Sequence, residues 1–420
     1  MATITGKGVR MDSLSALRER GSVKSPRIFL AIDNCFASKR WTRPKEWIEL
    51  IAGLGVRCIE ASADTECDPL YTTGDYLDDW TAEAVDACAS SGARIANLYS
   101  GHGTYATLGL AHTDRRVRDH IQNNWLKPMA RRAAALGAGL GFFCHAFPDV
   151  TLQEPERYRI AEDDLMARLA EVAAYCEEVG AQPLSVEQMY SPHQIPWTIP
   201  GAESLMRSVY ERRGSPLYLT IDTGHQTGQR RYLRPTTGDL QAAMRRAREG
   251  ESSPGLWLGS RRAHELFAAA VNGTSGRARD GVAEEGVIAD ILAVEDLHPF
   301  LFAGSDDGDP YRWLERLGCY APIVHLQQTD GSSSSHRPFT EAHNRRGIVS
   351  PERVLRSLAQ SYARESARGM PPRCEEIYLT LEIFAGTGET VYEIERGMRE
   401  SVEYWRRYIP SDGVILSSIL

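Results

Sequence analysis

The chain alternates between two kinds of segment eight times, and this alternation limits the folds that it can adopt. Each unit starts with a short apolar run, typical of a strand buried in a parallel sheet, and continues with residues at helical spacing. We predict strands at 27–36, 56–62, 93–100, 139–147, 181–189, 217–224, 321–330 and 376–384. Eight such units favour an α/β fold of the closed (β/α)8 TIM barrel type over an open doubly wound sheet, which usually has fewer strands.

Three segments fall outside this alternation. Residues 1–25 are predicted to be an N-terminal extension, residues 26–410 the barrel, and residues 411–420 a C-terminal tail. After the sixth predicted strand, residues 229–307 contain clusters of Gly, Ser, Arg and Asp and are far longer than an ordinary connection. We interpret this segment as a partly helical insertion and a candidate lid.

Composition narrows the class of partner. The 420 residues are 42% apolar and carry a formal net charge of −8. Because non-specific affinity for nucleic acids depends on Lys and Arg, this charge favours a small molecule over a nucleic acid. No run approaches the roughly 20 apolar residues of a membrane span, and eight scattered cysteines without a CxxC pair are typical of a reducing compartment. We therefore expect a cytoplasmic protein without a membrane partner, and the sequence leaves open whether it forms a homo-oligomer.

The fifth to eighth predicted strands each carry a carboxylate or an imidazole near the C-terminal end. These residues are Glu187, Asp222, His325 and Glu382. In a TIM barrel the C-terminal ends of the strands surround the active site, so these side chains should converge. Carboxylate oxygens and imidazole nitrogens are ligands for divalent cations, and a cation would offset the cost of burying isolated carboxylates. The pattern therefore predicts a metal site.

Each of these residues also has a structural interpretation, since a single strand-end carboxylate is often a helix cap or the partner of an arginine. Four such side chains on four adjacent strands would need four separate explanations of this kind. For several further polar residues near strand ends, a structural role is at least as plausible as a place in the pocket. These are Asp33, Asn34, Glu60, Asn97, His102 and His145.

The order of these residues resembles the xylose isomerase-like TIM-barrel superfamily, which includes the tagatose and psicose epimerases and, more distantly, endonuclease IV. The sequence DTGH at 222–225 is similar to a DxxH pattern on strand six of that group. The resemblance implies that Glu187, Asp222, His325 and Glu382 bind a divalent cation, with Mn²⁺, Mg²⁺, Co²⁺ and Zn²⁺ all open. It also implies that His225 contacts the substrate, and His145 is a further candidate for this role.

One part of the family pattern is missing. The sugar epimerases often carry an arginine six residues after the histidine of strand seven, where this chain has Gly331. A substrate contact is therefore expected from Arg337, Arg345 or Arg346 instead, and we select Arg337 as the candidate.

The resemblance implies an isomerase or epimerase of a small ketose or ketose phosphate, such as a tetrulose phosphate. Glu187 and Glu382 would be the catalytic residues, one removing a carbon-bound proton and the other returning it through a metal-stabilised enediolate. Return to the same carbon gives an epimer, and return to the neighbouring carbon gives an isomer. Two alternatives stay open: a metal-dependent phosphodiesterase of the endonuclease IV type, which would need histidines where strand two offers only Glu60, and a non-catalytic sugar-binding barrel.

Overall fold

The eight apolar runs form eight parallel strands in the computed structural model, which describes residues 25–63, 65–100, 107–251, 255–272 and 281–420. The strands are β1 Arg27–Asp33, β2 Cys58–Ser62, β3 Arg94–Ser100, β4 Gly139–Phe142, β5 Leu184–Glu187, β6 Tyr218–Asp222, β7 Ile323–Leu326 and β8 Glu376–Leu381. They pair in chain order, and β1 pairs in parallel with both β2 and β8. This closed sheet confirms the predicted TIM barrel.

Helices follow the strands and cover the outside of the barrel. They are α1 Pro44–Gly53, α2 Gly74–Ser91, α3 Arg115–Ile121, α4 Lys127–Ala135, α5 Asp149–Leu152, α6 Pro155–Val179, α7 Ile199–Arg213, α8 Gln226–Gln229, α9 Thr237–Arg248, α10 Arg261–Val271, α11 Gly281–Asp296, α12 Pro310–Leu317, α13 Glu341–Asn344, α14 Pro351–Ala363 and α15 Val391–Arg406. Thr73 and Thr390 cap α2 and α15 through their hydroxyl groups, and Gly180 ends α6 in the left-handed conformation. None of the helices in these described ranges is both long and apolar enough to cross a membrane.

The inside of the barrel changes from apolar to polar along the strands. Alternate residues of a strand face the same side, so Phe29, Ala31 and Asp33 of β1 lie on one face. At the N-terminal end Phe29 stacks on Tyr378, with ring centroids 5.0 Å apart, and the two rings belong to a small apolar cluster. Asp33 lies at the C-terminal end of the same strand, beside Glu60 of β2. The polar site is therefore confined to the end of the barrel where the strands finish.

In its described residues, the region predicted as an insertion after β6 contains three α-helices, α9, α10 and α11, with a hydrophobic core of their own. This core includes Leu240, Met244, Phe267 and Ile291. The backbone N–H of Arg261 in α10 donates to the side chain of Gln153, which directly follows α5. These helices are thus attached to the barrel at the connection that follows β4.

The predicted terminal segments differ in what the structure describes. Residues 1–24 of the predicted extension lie outside the described residues, as does His102. Within the predicted tail, a short strand β9, Val414–Ile415, pairs antiparallel with the start of β1. The tail is therefore an extension of the sheet at the N-terminal end of the barrel, opposite the polar site.

Candidate functional site

Glu187, Asp222, His325 and Glu382 come together at the C-terminal ends of β5 to β8. Each offers one ligand atom, and these atoms all lie within 4.8 Å of one another. Glu187 and Asp222 are the last residues of their strands, Glu382 directly follows β8, and the strand register sets His325 beside Asp222. All four residues are buried. The fold thus brings together the four side chains that the sequence predicted as metal ligands.

The His325 ring lies between carboxylates on both of its nitrogen atoms. Nδ1 is 3.1 Å from Oε1 of Glu187 and 3.3 Å from Oε2 of Glu382, while Nε2 is 3.0 Å from Oε1 of Glu60. Burial by itself would lower the pKa of His325, but Glu382 and Glu60 raise this pKa well above its ordinary value. The hydroxyl of Tyr99 donates to the other oxygen of Glu187. The cluster therefore extends to side chains of β2 and β3.

Asp222 and Glu382 have opposite tendencies to ionise. Burial favours the neutral form of Asp222, but His225 and His336 hold its pKa below the usual range. Burial raises the pKa of Glu382 well above its ordinary value, and the nearby Asp222 and Glu187 add to this increase. The carboxylates are so close that they need a proton or a cation between them to remain buried together.

The donor atoms also fit a divalent cation by their geometry. Oε2 of Glu382 lies 3.3 Å from Nδ1 of both His325 and His336, yet among the described residues neither this oxygen nor Nδ1 of His336 has a hydrogen-bond partner. Oxygen and nitrogen atoms that approach one another in this way without bonding are suited to share an ion. Glu187, Asp222, His325 and Glu382 would hold it, with His336 as a further donor.

His336 was not selected from the sequence, although it lies in the same cluster as Asp222 and His225. Gln328 and Arg337 form an antiparallel bridge after β7, and alternate residues of such a ribbon face opposite sides. His336 and Gln327 therefore face Asp222, and the Nε2 atoms of their side chains lie 3.2 Å apart. The only signal in the sequence was a histidine next to the arginine that we selected.

Arg337 faces the other side of this ribbon. Together with Arg346 and His343 it lines a separate cavity of about 210 Å³. Arg345, the remaining alternative, forms an ion pair with Glu341 at 2.7 Å. The structure thus does not bring Arg337 together with the predicted metal ligands.

The two predicted substrate-binding histidines have different surroundings. Nδ1 of His225 lies 2.8 Å from the carbonyl oxygen of Gln188, which can only accept a hydrogen bond, so Nδ1 carries the hydrogen. His225 belongs to a cluster with Asp222 and therefore faces the site. His145 is fully buried against the carbonyl of Ile195, and burial lowers its pKa to about 4.

A cavity of about 480 Å³ opens beside the cluster, at the ends of β1, β2 and β8. Its walls include Lys39, Asp68, Tyr71 and Phe384. The Phe384 ring lines this cavity and stacks on His336 with centroids 3.9 Å apart, so the cavity wall contacts the candidate ligand cluster. The cavity is large enough for a small sugar.

Comparison with known proteins agrees with this architecture. Residues 48–249 match the family of xylose isomerase-like TIM barrels. A segment of 107 residues, 26% of this chain, is 33% identical to D-erythrulose 1-phosphate 3-epimerase of Brucella abortus. The aligned segment spans only 31% of the length of that relative.

Two solved structures share the fold at low sequence identity. A candidate xylose isomerase of Rhodospirillum rubrum is 18% identical, with a TM-score of 0.64 over 90% of this chain and 99% of that one. D-psicose 3-epimerase of Clostridium cellulolyticum is 11% identical, with a TM-score of 0.51 over 91% of this chain and 98% of that one. The match over residues 48–249 and the closed barrel together show that the chain has the fold of the xylose isomerase-like TIM barrels.

Proposed function

We propose that the protein is a divalent-metal-dependent epimerase or isomerase of a small ketose or ketose phosphate. The observation that carries this proposal is the placement of two buried glutamates, Glu187 and Glu382, 3.1 and 3.3 Å from the same nitrogen of His325 and within one cluster with Asp222. The name of the Brucella abortus relative, which specifies D-erythrulose 1-phosphate, supports a short phosphorylated ketose.

The two glutamates suit proton transfer on opposite sides of a substrate. They stand on β5 and β8, which are separated by β6 and β7 in the barrel wall. The pKa of Glu187 is lowered, because His225 and His325 outweigh the effect of burial, whereas the pKa of Glu382 is raised by burial. Because the two carboxyl groups stand on different strands, one can remove a carbon-bound proton while the other returns one. Glu187 would take a carbon-bound proton, and Glu382 would supply one.

The remaining side chains would hold the substrate. A divalent cation bound by Glu187, Asp222, His325 and Glu382 would stabilise negative charge on the substrate oxygens. His225 carries hydrogen on Nδ1, so in its neutral form Nε2 is free to accept a hydrogen bond from a substrate hydroxyl. Phe384 and His336 cover one side of the cluster and would limit the access of water.

Deuterium exchange tests this function directly. Metal-loaded protein is incubated in D₂O with a panel of ketoses and ketose phosphates, and the substrates are followed by NMR. We expect deuterium at one carbon next to the carbonyl of the true substrate, and chelator-treated protein as the control should exchange nothing. The position of the label and the products distinguish epimerisation from isomerisation. Protein that binds metal and sugar without exchanging any carbon-bound proton would contradict the proposal and favour a sugar-binding role.

A further inference from the structure

Glu60 is a buried carboxylate of β2 that the proposed chemistry does not use. It is 1% exposed, and Oε1 approaches two nitrogen atoms, Nε2 of His325 at 3.0 Å and Nδ2 of Asn97 at 3.3 Å. Among the described residues, His325 is the only basic side chain within ion-pair distance of Glu60. A glutamate at this depth costs free energy that an apolar side chain would not, so packing alone does not account for it.

The position of Glu60 determines how the His325 ring can be used. A neutral imidazole carries one hydrogen, and the nitrogen without hydrogen is the one that binds a metal. Nδ1 of His325 faces Glu187 and Glu382, whereas Nε2 faces Glu60. A carboxylate that accepts from Nε2 keeps the hydrogen there and leaves Nδ1 free for the cation.

Other contacts hold Glu60 and the ring in these positions. Asn97 donates to the same oxygen of Glu60 from β3. Tyr99, two residues further along β3, makes a T-shaped contact with the His325 ring at a centroid distance of 5.0 Å and an angle of 84°. Strands β2 and β3 provide none of the four predicted ligands, but Glu60 and Tyr99 on these strands both contact the His325 ring.

We propose that Glu60 is a positioning residue, which holds His325 in the tautomer and orientation that present Nδ1 to the cation. This inference rests on the proposed function, because it assumes the metal site. Metal-binding histidines commonly donate their second N–H to a carboxylate, and loss of that carboxylate typically weakens metal affinity by about 10–100-fold. Glu60 would therefore act on the metal site through His325.

Metal affinity provides the test, with Mn²⁺ as the probe and the full chain as the protein. Free Mn²⁺ is counted by EPR during titration of the wild type, Glu60→Leu and Glu60→Gln. We expect Glu60→Leu to weaken binding by about 100-fold and Glu60→Gln, which keeps an acceptor oxygen, by about 10-fold. The matched control is Glu295→Gln, since Glu295 is also buried and has an oxygen without a hydrogen-bond partner in the described structure, but lies in the insertion. It should bind Mn²⁺ like the wild type.

The tautomer gives a second readout that a purely structural role would not change. In ¹⁵N NMR spectra of the Zn²⁺-loaded wild type, His325 should carry hydrogen on Nε2 and show a metal-bound Nδ1, and in Glu60→Leu the signal of the metal-bound Nδ1 should weaken or disappear. Wild-type Mn²⁺ affinity in both Glu60 variants, or a wild-type ring with hydrogen on Nδ1, would overturn the inference. Because these measurements use the metal alone, they do not depend on whether the protein exchanges substrate protons.

Discussion

Gln327 donates from its amide nitrogen to both oxygens of the Asp222 carboxylate, at 2.9 Å each. The amide oxygen of Gln327 accepts the backbone N–H groups of Ser335 and His336, at 2.8 and 2.6 Å. One side chain therefore fixes both a predicted metal ligand and the loop that carries His336.

Loss of this amide should weaken metal binding. We expect Gln327→Ala to lower the affinity for Mn²⁺ by about 10-fold or more, because Asp222 and His336 both lose their support. Gly224→Ala should act in the same direction, since a Cβ at this position would lie 2.4 Å from Cδ of Gln327 and displace the amide. Titration with Mn²⁺ measures both effects, with Gln153→Ala as the control. Unchanged affinity in the two site variants would show that the amide has no part in metal binding.

Replacement of the predicted metal ligands themselves should weaken metal binding more than the loss of Gln327. Chelator-treated protein should lose activity and regain it with a divalent cation, and Asp222→Ala and His325→Ala should each weaken metal binding by about 100-fold or more. His145→Ala is the matched control, because this buried histidine contacts the carbonyl of Ile195 instead of the cluster. Metal content after dialysis measures the difference. Full occupancy in both ligand variants would contradict the assignment.

The two glutamate variants should differ in the epimer into which they incorporate deuterium. Replacement of glutamate by glutamine keeps the size and one ligating oxygen but removes the basic group, so Glu187→Gln and Glu382→Gln should each slow net epimerisation by at least about 100-fold. Each variant retains the base on one face, and should therefore wash deuterium from D₂O into one epimer only, with opposite preferences. NMR at saturating metal follows this exchange. Near wild-type turnover in both variants would show that the two carboxylates are structural.

The insertion should become less stable as the pH rises. Burial raises the pKa of Glu295 to about 7, against an ordinary value of 4.5, although Arg234 opposes this shift. Between about pH 4.5 and 7 the folded state thus binds a proton that the unfolded state has lost, so stability falls as the pH increases through this window. We expect the free energy of unfolding of the insertion to fall by about 2 kcal/mol over this pH window.

Hydrogen exchange of the backbone amides in α9 and α10 measures this change after correction for the intrinsic pH dependence of exchange. The glutamine in Glu295→Gln cannot ionise but has nearly the same volume. This variant should therefore lose most of the dependence of amide protection on pH. If the variant and the wild type lose amide protection equally between about pH 4.5 and 7, the pH dependence does not come from Glu295.

Local sequence was sufficient to predict the eight strands, because strands buried in a parallel sheet are continuous apolar runs and the segments between them have helical spacing. The observed strands are shorter than predicted. The seventh, predicted at 321–330, ends at Leu326, since the backbone of Gln328 pairs with Arg337 in an antiparallel bridge instead of continuing the parallel ladder. Local patterns locate a strand, but its pairing determines where it ends.

The sequence by itself determined that acidic and imidazole groups stand at the ends of β5 to β8, since the position of a residue within its strand is a local property. Only the tertiary structure decided which partners these groups have. Glu60 meets His325 across 265 positions in the chain, and a single bridge between Gln328 and Arg337 turns His336 towards Asp222 and Arg337 away. Such contacts depend on the register with which the barrel closes and on the side of a ribbon that each residue faces. A shift of one residue reverses that side, and no local pattern in the chain specifies it.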